Sequence, residues 1–223
     1  MKNLEFENAF SKARFKKYKD AFNGDLSKAL TLYRYNIKLS EKFYCALNIF
    51  EIVLRNAINT HYINHFVDND WIRNQIAANG MLEHSPHKVE ISQKIQSLAN
   101  KNIYTHDKVV ASATFGFWVY CFTKIPFKRG GQSLLSIFPQ KHHGLGQRAI
   151  YNELMKVKGF RNRVAHHEQI CFDSFGNINM SLAKEVYSLI NNYLCYLGYS
   201  PKQLFYGLSI SIDEIINKIE NLK

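Results

Sequence analysis

The stretch from Leu26 to about Phe66 constrains the fold of this chain more than any other feature. Large apolar residues recur in it at alternating steps of four and three, which is the spacing of one face of an α-helix. This stripe comprises Phe43, Leu47, Phe50, Leu54, Ala57 and His61. Ile52 and Ile63 make other faces apolar too, which predicts a central helix buried nearly all round. The pattern leaves room for a break near Leu39.

Shorter helical patterns occupy most of the remaining chain. We predict helices over residues 4–19, 70–76, 89–98, 107–122, 145–167, 181–197 and 212–222. Breaks are predicted at residues 24–25, 79–80, 125–126 and 198–201, with a loop over 128–131 and a turn or small hairpin over 172–179. Asp25 is placed to cap the long helix. Only 4 Pro and 11 Gly interrupt the chain, and neither an internal repeat nor a linker stands out. The sequence therefore predicts a single all-α domain over residues 1–223.

The charge balance favours a polyanionic partner. The 29 Lys and Arg residues outnumber the 18 Asp and Glu residues, which gives a net charge of +11. The basic residues cluster at 12–19, 124–129 and 156–163, and Phe15, Tyr18 and Phe127 are interleaved with them. This interleaving suits nucleic acid, but it equally suits a helix face that lies beside a core. Charge alone leaves both interpretations open.

The cysteines and the apolar runs exclude several classes of protein. Cys45, Cys121, Cys171 and Cys195 are widely spaced without a C-x-x-C motif, so we expect buried, reduced thiols rather than a zinc ribbon or a redox site. The N-terminal residues lack the apolar region of a signal peptide, and the apolar run 111–122 is too short to span a bilayer. We expect a cytoplasmic protein that has no membrane association, no cofactor and no metal.

Residues 161–168, Arg-Asn-Arg-Val-Ala-His-His-Glu, hold the richest chemistry of the chain. A histidine can exchange a proton near neutral pH and an arginine can hold a phosphate, so the set could cleave a phosphodiester without a metal. On a helix Asn162 and His166 share a face, as do Arg163 and His167, whereas Arg161 lies roughly 140° from His166. Spacing therefore does not decide between the two arginines. The alternative is a solvated basic end of a helix.

Two other groups of residues are candidates for function. Glu51 and Arg55 are four apart on the long helix in the favourable order for an ion pair, which predicts either support for an active site or a buried structural pair. The pairs 142–143 and 166–167 are adjacent histidines, but no matching carboxylate cluster accompanies them, so a metal site is disfavoured. The aromatic block 114–118 has helical spacing and is expected to be core rather than a platform for bases.

Four blocks of the sequence resemble one family. The run 161–168 is similar to the R-N-x-x-x-H signature of HEPN-domain ribonucleases, in the form found in the Abi-like proteins of bacterial abortive infection (the AbiD/AbiF group). The segments 32–40, 50–58 and 114–118 resemble that group's Y-x-x-N-x-x-L-S, E-x-x-L-R-N-x-I and T-F-G-x-W blocks, in the same order. The resemblance covers about residues 26–170. It implies a HEPN-like helical bundle with extra helices, on which the C-terminal helices of 180–223 pack.

The resemblance also implies a function and its residues. Arg161 and His166 would form the catalytic pair of a metal-independent endoribonuclease, and Asn162 would orient them. Arg163 and His167 are candidates for contact with RNA, and Glu51 or Arg55 matches the family's polar residue on an earlier helix. The family implies a homodimer whose two motifs face one cleft, and an antitoxin or regulatory protein is a further expected partner. The alternative is a non-catalytic RNA-binding or regulatory module in which His166 is structural.

Overall fold

The computed structural model describes residues 11–208 and 211–222, and within these ranges the protein is all-α, as predicted. The helices are α1 (Lys12–Asp20), α2 (Leu26–Phe66), α3 (Trp71–Gln75), α4 (Lys88–Asn100), α5 (His106–Ser112), α6 (Phe115–Tyr120), α7 (Lys124–Arg129), α8 (Gln147–Ala165), α9 (Ser181–Tyr196), α10 (Pro201–Leu204) and α11 (Ile212–Glu220), with a 3-10 turn at Leu134–Ile137. The described ranges contain no strand beyond one isolated bridge between Phe172 and Ile178. Residues 4–10 of the predicted helix 4–19 lie outside the described residues.

The chain divides into two compact units. The first comprises Met1–Leu47, Gly159–Leu189 and Phe205–Lys223, and the second comprises Asn48–Lys158 and Ile190–Leu204. The residues 161–168 therefore belong to the first unit, whereas Glu51 and Arg55 belong to the second.

Aromatic packing holds the first unit together. The ring of Tyr18 on α1 lies 5.2 Å from the ring of Tyr33 on α2 and 5.2 Å from that of Phe172. Phe43 on α2 packs edge to face against Phe160 on α8, with their centroids 4.6 Å apart. Each of these rings removes a large apolar surface from water, and edge-to-face geometry adds to that stabilisation. The core of this unit therefore fixes α1 and the chain after α8 against the first half of α2.

The second unit has its own aromatic core. Phe115, Phe117 and Trp118 are buried, which confirms that the block 114–118 is core. The ring of Phe50 packs against that of Phe115 at 5.9 Å. The hydroxyl of Tyr193 donates to the carboxylate of Glu153 at 2.6 Å, so this buried polar group is satisfied.

The long helix is continuous. Its start is capped as predicted, because the carboxylate of Asp25 accepts a hydrogen bond from the Lys28 N–H at 3.1 Å. The predicted burial all round was wrong, since Ile52 is 39% exposed. Towards its C-terminal end the buried positions are Ile58 and Tyr62, where the stripe had placed the smaller or more polar Ala57 and His61. The bulkier apolar side chains occupy the core positions, so the helix buries one face.

Two predicted boundaries were also wrong. The segment 107–122 forms two helices because Ala113 is extended, at φ −67° and ψ 134°, and the first of them begins at His106 with Thr105 as its cap. Residues 125–126 were predicted to end a helix and residues 128–131 to form a loop, but Pro126 lies in the first turn of α7. Proline is tolerated there because the N–H groups of the first turn have no partner within the helix.

The cysteines are less completely buried than the sequence predicted. All four cysteines are free, but only Cys121 and Cys171 are buried, and Cys195 is exposed. Burial raises the pKa of the Cys171 thiol to about 12, which keeps it protonated. Within residues 11–208 and 211–222 we find no helix of the length and hydropathy that crossing a bilayer requires.

Candidate functional site

The site is built at the C-terminal end of α8. The N–H of His167 donates to the carbonyl of Val164 at 3.1 Å, and the N–H of Glu168 donates to the carbonyl of Arg163 at 2.8 Å. This pair of hydrogen bonds is a Schellman motif, which turns the chain sharply after the helix. His167 occupies its left-handed position at φ +56°, where glycine is usual. The turn leaves the side chains of His166 and His167 exposed to solvent.

Arg163 anchors the chain that follows the helix. Its Nε donates to a carboxylate oxygen of Glu168 at 3.2 Å. Its Nη2 donates to the carbonyl of Gln169 at 2.9 Å and to that of Phe172 at 3.4 Å. A planar guanidinium can hold several acceptors at once, so this single side chain orders the loop that begins at His167.

Helix α1 is tied to the same loop. The Nη2 of Arg14 donates to the carbonyl of His167, and the side-chain amide of Gln169 donates to the carbonyl of Arg14 at 2.6 Å. The Nζ of Lys17 lies 5.0 Å above the ring of Phe172, within reach of a cation–π interaction. These contacts bring two further cations to the end of α8.

Together these residues form a cationic cleft of about 260 Å³. It is lined by Arg14, Lys17, Arg163, His166, His167, Glu168 and Gln169. Three permanent cations therefore face one carboxylate, which favours an anionic ligand. The His166 ring forms no hydrogen bond with any residue that the structure describes, so its nitrogen atoms are available to a ligand. The cleft can therefore hold an anion beside the exposed imidazole of His166.

The other motif residues lie outside the lining of this cleft. Arg161 is half-buried and interacts with a neighbouring group. Asn162 is exposed one turn before His166, and its backbone carbonyl accepts the His166 N–H at 2.9 Å. The structure thus gathers Arg163, His166 and His167 into one cleft, and Arg161 is not among the residues that line it.

Glu51 and Arg55 lie one turn apart on α2 in the second unit. Both are half-buried, and Glu51 interacts with a neighbouring group. The Nε of Arg55 is buried and has no hydrogen-bond partner among the described residues. A buried polar atom without a hydrogen-bond partner costs free energy, so this atom needs a structural or functional explanation.

The spacing of the motif gave no indication that Arg14 and Lys17 line the same cleft. The basic cluster 12–19 was visible in the sequence, but nothing in it indicates that Arg14 meets a carbonyl 153 residues away. That contact depends on the packing of Tyr18 against Phe172, which places α1 beside the loop. A charge cluster can thus be read from a sequence, whereas its partner in the fold cannot.

The histidines of the second unit have a different environment. The indole N–H of Trp71 donates to the side-chain oxygen of Asn59 at 2.8 Å, and His106 Nε2 lies 2.8 Å from the same oxygen. Since that oxygen can only accept, Nε2 of His106 must carry a proton and donate. Its Nδ1 lies 3.4 Å from the carboxylate of Asp70, which also accepts a hydrogen bond from Tyr104.

Comparison with known proteins leaves the family open. No protein-family model matches the chain, and neither a curated protein nor a solved structure matches it. No three side chains of the His, Cys, Asp or Glu types gather into a group able to hold a metal ion within the described part of the chain.

Proposed function

We propose that the protein is a metal-independent endoribonuclease of a bacterial abortive-infection or toxin-like system. One observation carries the proposal: His166 is exposed and free of hydrogen bonds to the described residues, in a cleft with three cations. The resemblance of residues 161–168 to the HEPN signature supplies the reaction class. A cytoplasmic site of action, a homodimeric assembly and a silencing partner protein belong to the same proposal.

The reaction needs one proton acceptor, one proton donor and a positive charge. A base removes the proton of a ribose 2′-hydroxyl, and the 2′-oxygen attacks the adjacent phosphorus atom. The bond to the 5′-oxygen breaks, and an acid protonates that oxygen, which leaves a 2′,3′-cyclic phosphate and a 5′-hydroxyl. His166 performs one of these proton transfers, and an arginine stabilises the charge on the phosphorane. Arg14 and Lys17 hold the neighbouring phosphates.

The two arginines of the motif have separable roles in this proposal. Arg163 already donates to Glu168 and to two carbonyls of the loop, so it builds the cleft and contributes its charge. Arg161 is the family's catalytic arginine, and Asn162 orients the pair. Arg161→Ala should abolish cleavage while the protein stays folded, whereas Arg163→Ala should also lower the free energy of unfolding.

Two residues are candidates for the second proton-transfer group. His167 lines the same cleft as His166, and a homodimer would bring a second His166. Mixing wild-type protein with an excess of the inactive His166→Ala protein distinguishes them. Loss of wild-type activity on mixing means that two chains share one site, and unchanged activity favours His167.

The test is incubation of purified protein with total RNA in EDTA. Wild-type protein should cleave RNA, and His166→Ala should slow cleavage by about a hundredfold or more. His143→Ala is the matched control, since it removes an exposed histidine of the second unit. Products should end in a 2′,3′-cyclic phosphate, and a 2′-deoxy nucleotide at the cut position should block the reaction. Cleavage at the wild-type rate by both His166→Ala and Arg161→Ala would refute the proposal.

A non-catalytic RNA-binding module is the second candidate. The three cations of the cleft favour it as much as they favour an enzyme. That candidate gave His166 a structural role, and the exposure of its ring argues against such a role. RNA that binds at low salt, without cleavage by any variant, would select this candidate.

A further inference from the structure

A second basic cleft lies within the second unit, between α7 and the first turns of α8. It has a volume of about 770 Å³, within the range of ligand-binding clefts. Its lining includes Lys124, Lys128 and Arg148 together with the aromatic rings of Phe127 and Tyr151. The remaining lining residues that the structure describes are polar and uncharged, so three cations face the cleft without a carboxylate.

The three cations are available to a ligand. Lys124, Lys128 and Arg148 are exposed, and none of them forms an ion pair with a described residue. Their neighbour Arg129 differs, because its Nη1 contacts Glu83 at 3.1 Å and donates to the carbonyl of Gly80 at 3.0 Å. The basic cluster 124–129 thus divides into one structural arginine and two lysines that face the cleft.

The two aromatic rings are available as well. Phe127 and Tyr151 are half-buried, and neither ring packs against another aromatic ring among the described residues. A ring held in place with part of its surface open offers a face on which a base can stack. The large rings of the cores differ, since Phe117 and Trp118 are buried against each other at 4.8 Å.

The wall of the cleft is held by its own turn. The N–H of Gln132 donates to the carbonyl of Phe127 at 2.9 Å, and Gly131 takes the left-handed position at φ +77°. A side chain at Gly131 would meet the His65 ring at 2.6 Å, so only glycine fits this turn. On the other wall the side-chain amide of Gln147 donates to the carbonyl of Phe122. The cleft is therefore organised before a ligand enters.

We propose that this cleft binds single-stranded RNA. The phosphates contact Lys124, Lys128 and Arg148, and the bases stack on Phe127 and Tyr151. Unpaired cations beside open aromatic faces are the combination that single-stranded nucleic acid requires, whereas an acidic peptide needs no aromatic platform. The binding requires no proton transfer, so it stands whether or not His166 catalyses cleavage.

The experiment measures binding of a 2′-O-methyl oligouridylate of about twelve nucleotides, a length suited to a single-strand cleft. This probe has no free 2′-hydroxyl, so cleavage at His166 cannot consume it. Lys124→Ala/Lys128→Ala should weaken binding roughly tenfold at low salt, and the slope of log K against log salt should fall by about 0.7 for each cation removed. Tyr151→Leu should weaken binding roughly tenfold, whereas Tyr151→Phe keeps the ring and should bind like wild type.

The matched control is Lys94→Ala/Lys101→Ala. It removes the same charge from exposed positions of the same unit outside the cleft, and it should bind almost like wild type. Equal loss in this control would overturn the proposal, because net charge alone would then explain binding. Unchanged binding by Tyr151→Leu, or equal affinity for a duplex of the same length, would also overturn it. A glutamate-rich peptide that binds wild type while the oligonucleotide does not would assign the cleft to an acidic protein segment instead.

Discussion

The histidines at the end of α8 and the histidine behind α3 carry the same ring in opposite surroundings. His166 is exposed, and its ring has no hydrogen bond to any described residue. The side chain of His106 is 10% exposed, and its two nitrogens face Asn59 and Asp70. A largely buried ring that is hydrogen-bonded through its Nε2 is closed to a substrate, whereas an exposed ring beside cations is accessible to one.

The same contrast separates the arginines of the two units. Arg163 anchors a loop and still lines a cleft, whereas Arg55 has a buried Nε without a partner. A cation that is already held by carbonyls contributes its charge to a ligand without needing to be ordered by it. The comparison therefore predicts which side chains act on stability and which act on a ligand.

The largest expected difference in stability is between His106→Ala and His166→Ala. Removing the His106 ring takes a hydrogen bond from Asn59 and a largely buried ring from beside Asp70, so the free energy of unfolding should fall by about 2–3 kcal/mol. His166→Ala removes an exposed ring and should change it by less than about 0.5 kcal/mol. Urea unfolding of the two proteins measures both values. Equal urea midpoints for the two variants would mean that His106 is no more important for stability than the exposed His166.

Substitutions of Arg163 test whether one side chain can both anchor the loop after α8 and contribute its charge to the cleft. Arg163→Ala should lower the free energy of unfolding by about 2 kcal/mol, since charge-assisted hydrogen bonds to two carbonyls and to Glu168 are lost. Arg163→Lys should recover only part of this, because a lysine lacks the fork that reaches several acceptors. Urea unfolding checks the order wild type, Lys, Ala. Full recovery with lysine would reduce the role of Arg163 to its charge.

The sequence predicted the helices of this fold better than it predicted the site. Periodicity located the long helix, and Asp25 was recognised as its cap because capping is local. The effect of Pro126 was predicted wrongly because it depends on the turn of the helix in which the proline lies. Arg163 could not be recognised as an anchor, since its acceptors are backbone carbonyls that carry no residue identity. The contact of Arg14 with the His167 carbonyl is set by packing between segments far apart in the chain.

A smaller effect concerns pH and a third histidine of the second unit. Burial lowers the pKa of His87, although Glu90 beside it acts in the opposite direction. The unfolded chain therefore takes up this proton first as the pH falls, and the free energy of unfolding should decrease below about pH 6.5. His87→Gln should flatten that decrease between about pH 5 and 7, whereas His143→Gln, at an exposed position, should not. If the free energy of unfolding depends on pH identically in wild type and His87→Gln, burial of this ring does not disfavour its charged form.

His167→Gly separates the contribution of the backbone from that of the side chain at the end of α8. His167 lies at φ +56°, where a side chain costs free energy and glycine does not, so the variant should gain about 0.5–1 kcal/mol. Ala165→Gly, which makes the same kind of change at a helical position, should lose a similar amount. A loss in both variants would mean that the His167 ring stabilises the turn. If His167→Gly gains stability and loses RNA cleavage, its imidazole is the second proton-transfer group, because the turn that presents His166 remains intact.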